Sequence, residues 1–463
     1  MLPHLWRTLK VICTSVTLTL AGCAAAPSPY PMPAAGELQN GLATEPRLAD
    51  LWWAEFRDSG LSHAVSEALR TNPTLDMALA RVEEARGSAD LSRLRHSPTA
   101  EGSGDAQGEK GIAPSSLWRV QKNIGAYATW ELDLFGRGSA AASEAGYTLA
   151  ARTQDVSSAR LVLAAETARA YLSWQGCLEE AEDLDAEYSS LLKTARLAET
   201  LATAGFAPAS EPSLARATAA TFQAHAAAQT AECTTQLETL VALTGIPAAV
   251  LASGSPSLPI PPVLATESMN LAHLAKRPDV AAAELDLAAA AAAVSGVVTD
   301  WRPRITLSGS LAFSQIMSGG AATLPLLVGA SIGLPLFDGG QNDAKTHVAN
   351  ARYAQAKARH QQVTRQSLQE IGQTWAKLRG AQAQVGPVRR GLEDYSRAVR
   401  LAELQWQAGA ISLLEVEQAR RVHIAARRAE REVSLNLLHH TIALFTALGG
   451  VWPKPYEVFD EIN

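Results

Sequence analysis

The sequence predicts an α+β membrane protein in which one structural unit, a helix, two strands and a long helical hairpin, is built twice. Three observations predict this fold: glycines recur at a constant offset, alanine-rich helical stretches are unusually long, and four segments alternate apolar and polar residues. No run of 18 apolar residues follows the N-terminal segment. We therefore expect strands rather than helices to cross the bilayer.

The N-terminal residues 1–22 have the layout of a secretory signal: a short basic region, the apolar stretch Val11–Leu20 and a pair of small residues. Cys23 follows this pair, and the four residues ending in Cys23 resemble the lipobox of bacterial lipoproteins, in which the cysteine is acylated. Ala24 follows where an aspartate would favour retention in the inner membrane, so the resemblance points to the outer membrane. Residues 23–60 would then form a lipid-anchored tether. An ordinary signal with an incidental cysteine is the alternative.

The charge of the chain excludes one class of partner. The formal net charge of the whole chain is −6, and loss of residues 1–22 removes two basic residues and no acidic ones, which moves it to −8. A chain with this charge has no bulk attraction to nucleic acid.

Three glycines of the first half have partners 204 residues later: Gly176 with Gly380, Gly205 with Gly409, and Gly245 with Gly449. The surrounding residues agree, since LVALTG ends at the first member of the last pair and LFTALG ends at the second. Several matches in one order at one spacing indicate an internal duplication. We therefore place a first repeat at 61–252, a proline-rich linker at 253–265, a second repeat at 266–450 and a tail at 451–463.

Each repeat contains a long helical hairpin that is rich in alanine and nearly free of proline. Alanine buries little apolar area per residue, so these helices need neighbours on several sides. The predicted helices are Ala140–Thr203 and Ala209–Leu243 around a turn at Gly205, then Asn342–Gln407 and Ser412–Leu448 around a turn at Gly409.

Four segments have the alternation of strands with one apolar and one polar face: Pro98–Gly108, Val120–Leu134, Ile305–Ser314 and Leu326–Leu334. The second exceeds the roughly 9 to 11 residues that a tilted spanning strand needs, whereas the first has a weak apolar face. Four strands cannot close a barrel, and an open edge in hydrocarbon would leave backbone groups unpaired. We therefore expect several copies to share one barrel. A half-buried sheet in a water-soluble body is the alternative.

Six short motifs follow one another in an order typical of one family: Trp52–Phe56, Asn72–Leu75, Trp130–Arg137, Arg277–Val280, Leu336–Gly340 and Ala447–Trp452. Together they resemble the outer-membrane factor (TolC-like) family, and most closely its lipoprotein branch in RND-type tripartite efflux systems. The resemblance covers nearly the whole mature chain. Ser59 stands where the family usually has proline, which is a departure confined to one turn.

The resemblance implies a homotrimer in which each copy gives four strands to a single twelve-stranded barrel in the outer membrane. Long helices would continue the channel as a helical barrel across the periplasm. The implied partners are a periplasmic adaptor protein, an inner-membrane pump and outer-membrane lipids, and no cofactor is implied. The hairpin tips at Gly205 and Gly409 would form the far periplasmic end, where the adaptor docks and an iris-like gate closes.

One face of the last helix carries candidate gate residues. Leu414, Gln418 and Arg421 are spaced at i, i+4 and i+7, so they can point together into a pore. By resemblance, Leu414 would form a constricting ring and Arg421 a gate charge. Gln418 stands where relatives often have an aspartate, and Glu415 or Glu417 would replace that charge. The alternative is a solvated i, i+4 ion pair between Glu417 and Arg421.

Two further cysteines lie at equal sequence distances from the first turn. Cys177 and Cys233 have Gly205 as their midpoint, so the two thiols lie at the same level of an antiparallel hairpin. Because the periplasm is oxidising, we predict a disulfide between them. The alternative is two buried cysteines on faces that do not meet.

The sequence predicts neither a catalytic nor a metal site. Gly329–Gly333 matches G-x-S-x-G, but the strand continues where a nucleophile elbow needs a turn into a helix. His439 and His440 have no cysteine or carboxylate at metal-ligand spacing. The arginines between Arg420 and Arg431 are interleaved with glutamates, which is typical of a salt-bridged helix surface.

These features predict a passive channel subunit, not an enzyme, that is lipid-anchored in the outer membrane and extends into the periplasm. It would export drugs or other small toxic compounds for a tripartite efflux pump. A channel for type I protein secretion is the alternative within transport. A periplasmic scaffold lipoprotein without a pore is the alternative outside it.

Overall fold

The computed structural model describes residues 48–110, 118–252, 258–262, 277–316 and 322–450. The expectations for the signal at 1–22, for Cys23 and for the tail at 451–463 lie outside these ranges.

The described elements follow the predicted order in both halves. A 3₁₀ helix at Leu48–Phe56 comes first. The first half then contains α1 (Ser59–Thr71), α2 (Pro73–Leu94), β1 (Thr99–Lys110), β2 (Trp118–Leu132), α3 (Arg137–Thr203), α4 (Glu211–Thr244) and the short α5 (Ala248–Leu251). The second contains α6 (Pro278–Val298), a 3₁₀ turn (Thr299–Trp301), β3 (Arg304–Ile316), β4 (Leu326–Gly333), α7 (Gln341–Gln407) and α8 (Leu413–Ala447). The predicted strands and long helices are confirmed, with bounds that differ by a few residues.

The four strands form one antiparallel sheet in the order β1-β2-β3-β4. The central pair, β2 with β3, joins the two halves of the chain, whereas β1 and β4 lie at the edges. The register sets apolar residues opposite one another: Ile124 opposite Phe313, and Trp130 opposite Leu307. Because alternate residues of a strand point to opposite faces, this register collects the apolar side chains on one face of the sheet.

The two hairpin turns have the same backbone geometry. Gly205 has φ 79° and Gly409 has φ 73°, in the left-handed region that glycine adopts without a Cβ penalty. The turn hydrogen bonds correspond at the 204-residue offset: Phe206 N to Leu201 O (2.8 Å) with Ala410 N to Gln405 O (2.8 Å), and Gly205 N to Ala202 O (3.1 Å) with Gly409 N to Trp406 O (2.8 Å). This matching pattern supports the duplication.

The opposite ends of the hairpins are also held at equivalent positions. The side-chain amide of Asn72 donates to the carbonyl oxygen of Leu243 over 2.9 Å, near the end of α4. The guanidinium of Arg277 donates to the carbonyl oxygen of Ala447 over 2.5 Å, at the end of α8. Both acceptors are carbonyls that the helix itself leaves without a partner. Two different side chains therefore make the same connection in the two halves.

Contacts among the described residues divide them into two compact units, and each unit draws on both halves of the chain. One unit comprises Ala80–Thr153 and Ala282–Gln361, and it includes the sheet. The other comprises the described residues up to Leu79, Gln154–Ala281 and those from Gln362 onward, and it includes both hairpin turns. An extended apolar cluster of this unit packs Trp52 against Phe445, with ring centroids 4.7 Å apart.

One helical stretch of the described chain, Pro278–Trp301, has the length and apolar composition that could cross a membrane. Only its length and composition indicate this, and 39% of an 18-residue segment of it is buried. The stretch is rich in alanine, and a helix packed in a protein core meets the same test.

Candidate functional site

The apolar face of the sheet is exposed in the single chain. Val328 is 83% exposed and Ile332 is 72% exposed on β4, and Ile124 and Phe313 are exposed on the central strands. An exposed apolar surface of this extent marks a site that contacts lipid or protein.

The opposite face of the sheet carries a hydrogen-bonded polar layer. Asn123 donates to Asp105 over 3.0 Å, and Gln121 donates to Ser314 over 3.0 Å. Tyr127 donates to Glu101 of β1. The polar face therefore suits contact with water, and the sheet as a whole suits a boundary between lipid and water.

Each strand pair passes into its long helix through a turn that contains a leucine, a phenylalanine and a capping aspartate. Asp133 accepts hydrogen bonds from the backbone of Gly138 (3.0 Å) and Ser139 (2.8 Å) at the start of α3. Asp338 accepts from the backbone of Gly340 (2.9 Å) and Asn342 (2.8 Å) at the start of α7. A carboxylate there satisfies amide groups that the first turn leaves free and complements the helix dipole.

The candidate gate residues lie within the first nine residues of α8, next to the hairpin turn at Gly409. A capping box between Ser412 and Glu415 fixes the start of this helix. Leu414 and Gln418 are exposed, and Arg421 donates to the side-chain oxygen of Gln418 over 2.8 Å. The structure thus places Leu414, Gln418 and Arg421 on one side of α8. The hydrogen bond of Arg421 is to another residue of this set, Gln418.

Glu417 is buried and pairs with Arg420, so the structure does not show the alternative of a solvated pair between Glu417 and Arg421. Only 7% of Glu417 is exposed. Its Oε1 accepts hydrogen bonds from Thr194 of α3 (2.9 Å) and from Arg420 (2.9 Å). The physical reason is that Glu417 faces α3, where the hydroxyl of Thr194 and the guanidinium of Arg420 compensate for its burial.

Arginines of α8 form ion pairs with other helices. Arg420 bonds Glu403 of α7 over 2.7 Å, Arg427 bonds Asp183 of α3 over 2.5 Å, and Arg428 bonds Glu180 over 2.5 Å. Arg431 is buried and pairs with Glu179 and Asp183. The predicted salt-bridged surface exists, but apart from Glu417, which pairs with Arg420, the acids of these pairs come from α3 and α7. Local spacing could not reveal these partners, because they are far away along the chain.

A groove near the hairpin turns is formed by α3, α4 and α8. Leu414, Glu417 and Arg421 of α8 line it together with Leu191, Thr194, Ala198, Glu211, Leu214, Ala215, Thr218 and Leu413. The groove therefore brings three of the four candidate gate residues next to the first hairpin, although they belong to the second.

The structure joins Cys177 of α3 and Cys233 of α4. Their sulfur atoms are 2.02 Å apart and their Cα atoms 5.5 Å apart, which is disulfide geometry. The equal spacing from Gly205 thus places the two cysteines opposite each other. The bond fastens the two arms of the first hairpin.

The two adjacent histidines of α8 are partly buried in the helical unit. The Nε2 atom of His439 lies 3.2 Å from the hydroxyl of Ser173. Burial, and then the charge of Arg169, lower the pKa of His439, and burial also lowers the pKa of His440. Within the described ranges, no cluster of three or more His, Cys, Asp or Glu residues could hold a metal ion.

A family model described as outer membrane efflux protein matches residues 64–246 and 272–450. The chain belongs to the outer membrane efflux protein family. The two matched segments cover both strand pairs and both hairpins, so the membership extends over the channel-forming parts of the fold. The chain is therefore an outer-membrane efflux channel protein, and its fold is that of the TolC-like channels.

Individual members of the outer membrane efflux protein family are similar over nearly their whole length. The cation efflux system protein CusC of Escherichia coli (strain K12) is 25% identical over 463 residues, covering 95% of this chain and 99% of that protein. The pyoverdine export outer membrane protein OpmQ of Pseudomonas aeruginosa is 26% identical over 456 residues, covering 95% of this chain and 96% of that protein. The crystal structure of VceC from Vibrio cholerae superposes with a TM-score of 0.78 at 25% identity, covering 89% of this chain and all of that one.

Proposed function

We propose that three copies of this chain form one channel, which is the passive outer-membrane duct of a tripartite pump for small molecules. The observation that carries the proposal is the sheet: four strands, two free edges, one exposed apolar face and one polar face. A closed membrane barrel needs about eight strands or more. Three copies together supply twelve.

In this channel, the apolar face contacts lipid and the polar face lines the water-filled lumen. The long hairpins continue the lumen toward the inner membrane, where an adaptor binds near Gly205 and Gly409. Leu414, Gln418 and Arg421 narrow the lumen at that end. Glu417 holds α8 against α3 through Thr194 rather than facing the lumen.

Acylation of Cys23 anchors each copy in the outer membrane in this proposal. The expected test is metabolic labelling with a palmitate analogue, which should label the wild-type chain and not the Cys23→Ser variant. Label on the variant would contradict the assignment of Cys23.

The duct performs no chemistry, and the pump selects the cargo. CusC and OpmQ are similar to this chain to nearly the same degree, at 25% and 26% identity, yet their names specify a cation and pyoverdine. The sequence identity of this chain to such relatives therefore does not indicate which small molecule it exports. A deletion strain should accumulate small toxic compounds such as dyes or antibiotics, whereas a loss of secreted proteins would favour type I secretion.

Conductance across a planar bilayer tests the pore itself. The purified chain should be a trimer in mild detergent and should give discrete single-channel currents. Ile332→Arg puts a charge on the apolar face, at a cost of about 2 to 4 kcal/mol in mid-bilayer, and should reduce assembly in the membrane. Ser331→Arg, the adjacent residue on the polar face, is the matched control and should still assemble. A monomer without conductance would support the scaffold alternative.

A further inference from the structure

One face of α3 packs against the side of α8 that holds Glu417. Glu187, Ser190 and Thr194 are spaced at i, i+3 and i+7, so they lie on that face. The Nη1 atom of Arg420 lies 3.4 Å from the hydroxyl of Ser190 and 3.4 Å from that of Thr194. Arg420 therefore reaches to within one helical turn of Glu187.

This contact contains more carboxylates than cations. Arg420 bonds Glu417 over 2.9 Å and Glu403 of α7 over 2.7 Å. Two carboxylate oxygens of the contact are buried without a hydrogen-bond partner: Oε1 of Glu187 and Oε2 of Glu417. A buried carboxylate oxygen without a donor costs free energy, and a second carboxylate nearby adds repulsion. A proton on one of the two carboxyl groups removes the repulsion and the cost of burying that group as an anion.

The surroundings of Glu187 indicate which carboxyl holds the proton. Burial, and then the charge of Glu417, raise the pKa of Glu187, while Arg420 opposes the rise. Glu417 is already bonded to a cation, whereas no cation pairs with Oε1 of Glu187 in the described structure. The proton therefore belongs on Glu187.

We propose that Glu187 binds a proton when α3 and α8 are packed together and releases it when they separate, so that a rise in pH loosens this contact. The contact lies beside the proposed gate, so its effect on opening rests on the proposed function. The effect on the packing of α8 does not.

The direction follows from linkage between protonation and packing. Burial against α8, and then the charge of Glu417, raise the pKa of Glu187. Separation of α3 and α8 would remove both causes, so the packed state binds the proton more tightly than the separated state. The packed state is therefore favoured below the ordinary pKa of a glutamate. It loses stability as the pH rises from that value through the raised pKa. One proton per copy changes the packing equilibrium by at most about tenfold per pH unit.

Other titratable groups face the same region and must be separated from Glu187. Glu211 of α4 and Arg421 line the groove beside Glu417. His423 of α8 lies 2.9 Å from Ser396 of α7 through its Nε2 atom, and its pKa is lowered by burial and then by Arg427. A response from His423 would involve Ser396 of α7 and Asp183 of α3, and not Glu187.

Glu187→Gln tests the proposal, because the amide occupies a similar volume and cannot ionise. Glu182→Gln, at an exposed position of α3, is the matched control, and His423→Gln removes the competing group. Amide exchange of residues 413–424 in the full-length trimer is compared between variants at each pH, which cancels the intrinsic pH dependence of exchange. Single-channel open probability is recorded over the same range.

Wild type and Glu182→Gln should exchange these amides faster than Glu187→Gln at high pH, by up to about tenfold per pH unit of the titration. The variants should converge at low pH, and His423→Gln should keep the wild-type response. A response that survives in Glu187→Gln, or that disappears in His423→Gln, would overturn the proposal. Absence of conductance in every variant, with the exchange result intact, would instead contradict the proposed channel.

Discussion

The two helical hairpins share a backbone plan and differ in what fastens them. Their long helices, α3 and α7, each contain 67 residues, and the shorter ones contain 34 and 35. Both turn at a left-handed glycine. Only the first hairpin has its arms joined by a disulfide, between Cys177 and Cys233. At the 204-residue offset, the second hairpin has Ala381 and Leu437.

The comparison indicates which features duplication preserves. Backbone geometry depends on glycines and on carbonyl caps, and a change there would disturb a whole helix. Side chains between the helices can be replaced one pair at a time, provided that each buried polar group keeps a partner. The two halves have therefore kept the same turns. They differ in the covalent, ionic and apolar contacts that hold the helices together.

Among the changes considered, removal of the disulfide should have the largest effect on the difference between the two hairpins. A link over 56 residues corresponds to about 4 kcal/mol on the chain-entropy scale. In the Cys177→Ser, Cys233→Ser variant, we expect faster amide exchange in α3 and α4 and little change in α7 and α8. Reduction of the wild type should reproduce the result. Equal changes in both hairpins would show that the bond stabilises the chain as a whole.

Removal of Arg277 should destabilise the protein more than removal of Asn72, because only Arg277 carries a charge. Arg277 is buried and also bonds Asp279 (2.9 Å) and Glu370 (2.8 Å), so Arg277→Ala leaves several groups without a partner. We expect a loss of about 2 to 3 kcal/mol, discounted from a fully buried pair because both acids are partly exposed. Asn72→Ala should cost about 1 to 2 kcal/mol. Denaturant unfolding measures both, and equal losses would contradict a contribution from the charge.

The paired glycines inside α3 and α7 should respond in opposite directions to alanine. A Cβ atom on Gly176 would lie 2.5 Å from Cδ1 of Leu435, whereas one on Gly380 meets nothing within 4 Å. Gly380→Ala should stabilise the protein by about 1 kcal/mol through helix propensity. Gly176→Ala should destabilise the protein instead, because overpacking against Leu435 outweighs that gain. A gain at both positions in thermal unfolding would show that the contact relaxes freely.

His439 of α8 should give a smaller effect, a dependence of stability on pH. Because its lowered pKa keeps His439 neutral when folded, the unfolded chain binds a proton that the folded chain does not. Stability should therefore fall as the pH drops below the ordinary histidine pKa of about 6.5. His439→Gln should flatten this slope in unfolding measured between neutral and mildly acidic pH. An unchanged slope would assign it to other groups.

The sequence predicted the repeated elements well because each leaves a periodic local signal. Long alanine-rich runs, alternating strands and left-handed glycines are visible within a few residues, and the disulfide followed from equal spacing about Gly205. The contact between Glu417 and α3 was not predictable in this way. Thr194 and Glu187 belong to a helix more than 200 residues earlier in the chain. Their approach to α8 depends on how α3 and α8 pack, which no local pattern encodes.

The strand order has a consequence for any ring built from this sheet. Within one chain, the middle seam joins β2 of the first half to β3 of the second. If copies meet edge to edge, β4 of one lies beside β1 of the next, so that seam also joins a second half to a first. Halves then alternate all the way around, and three identical chains approximate a sixfold object. Divergence between the halves is the only thing that lowers its symmetry to threefold.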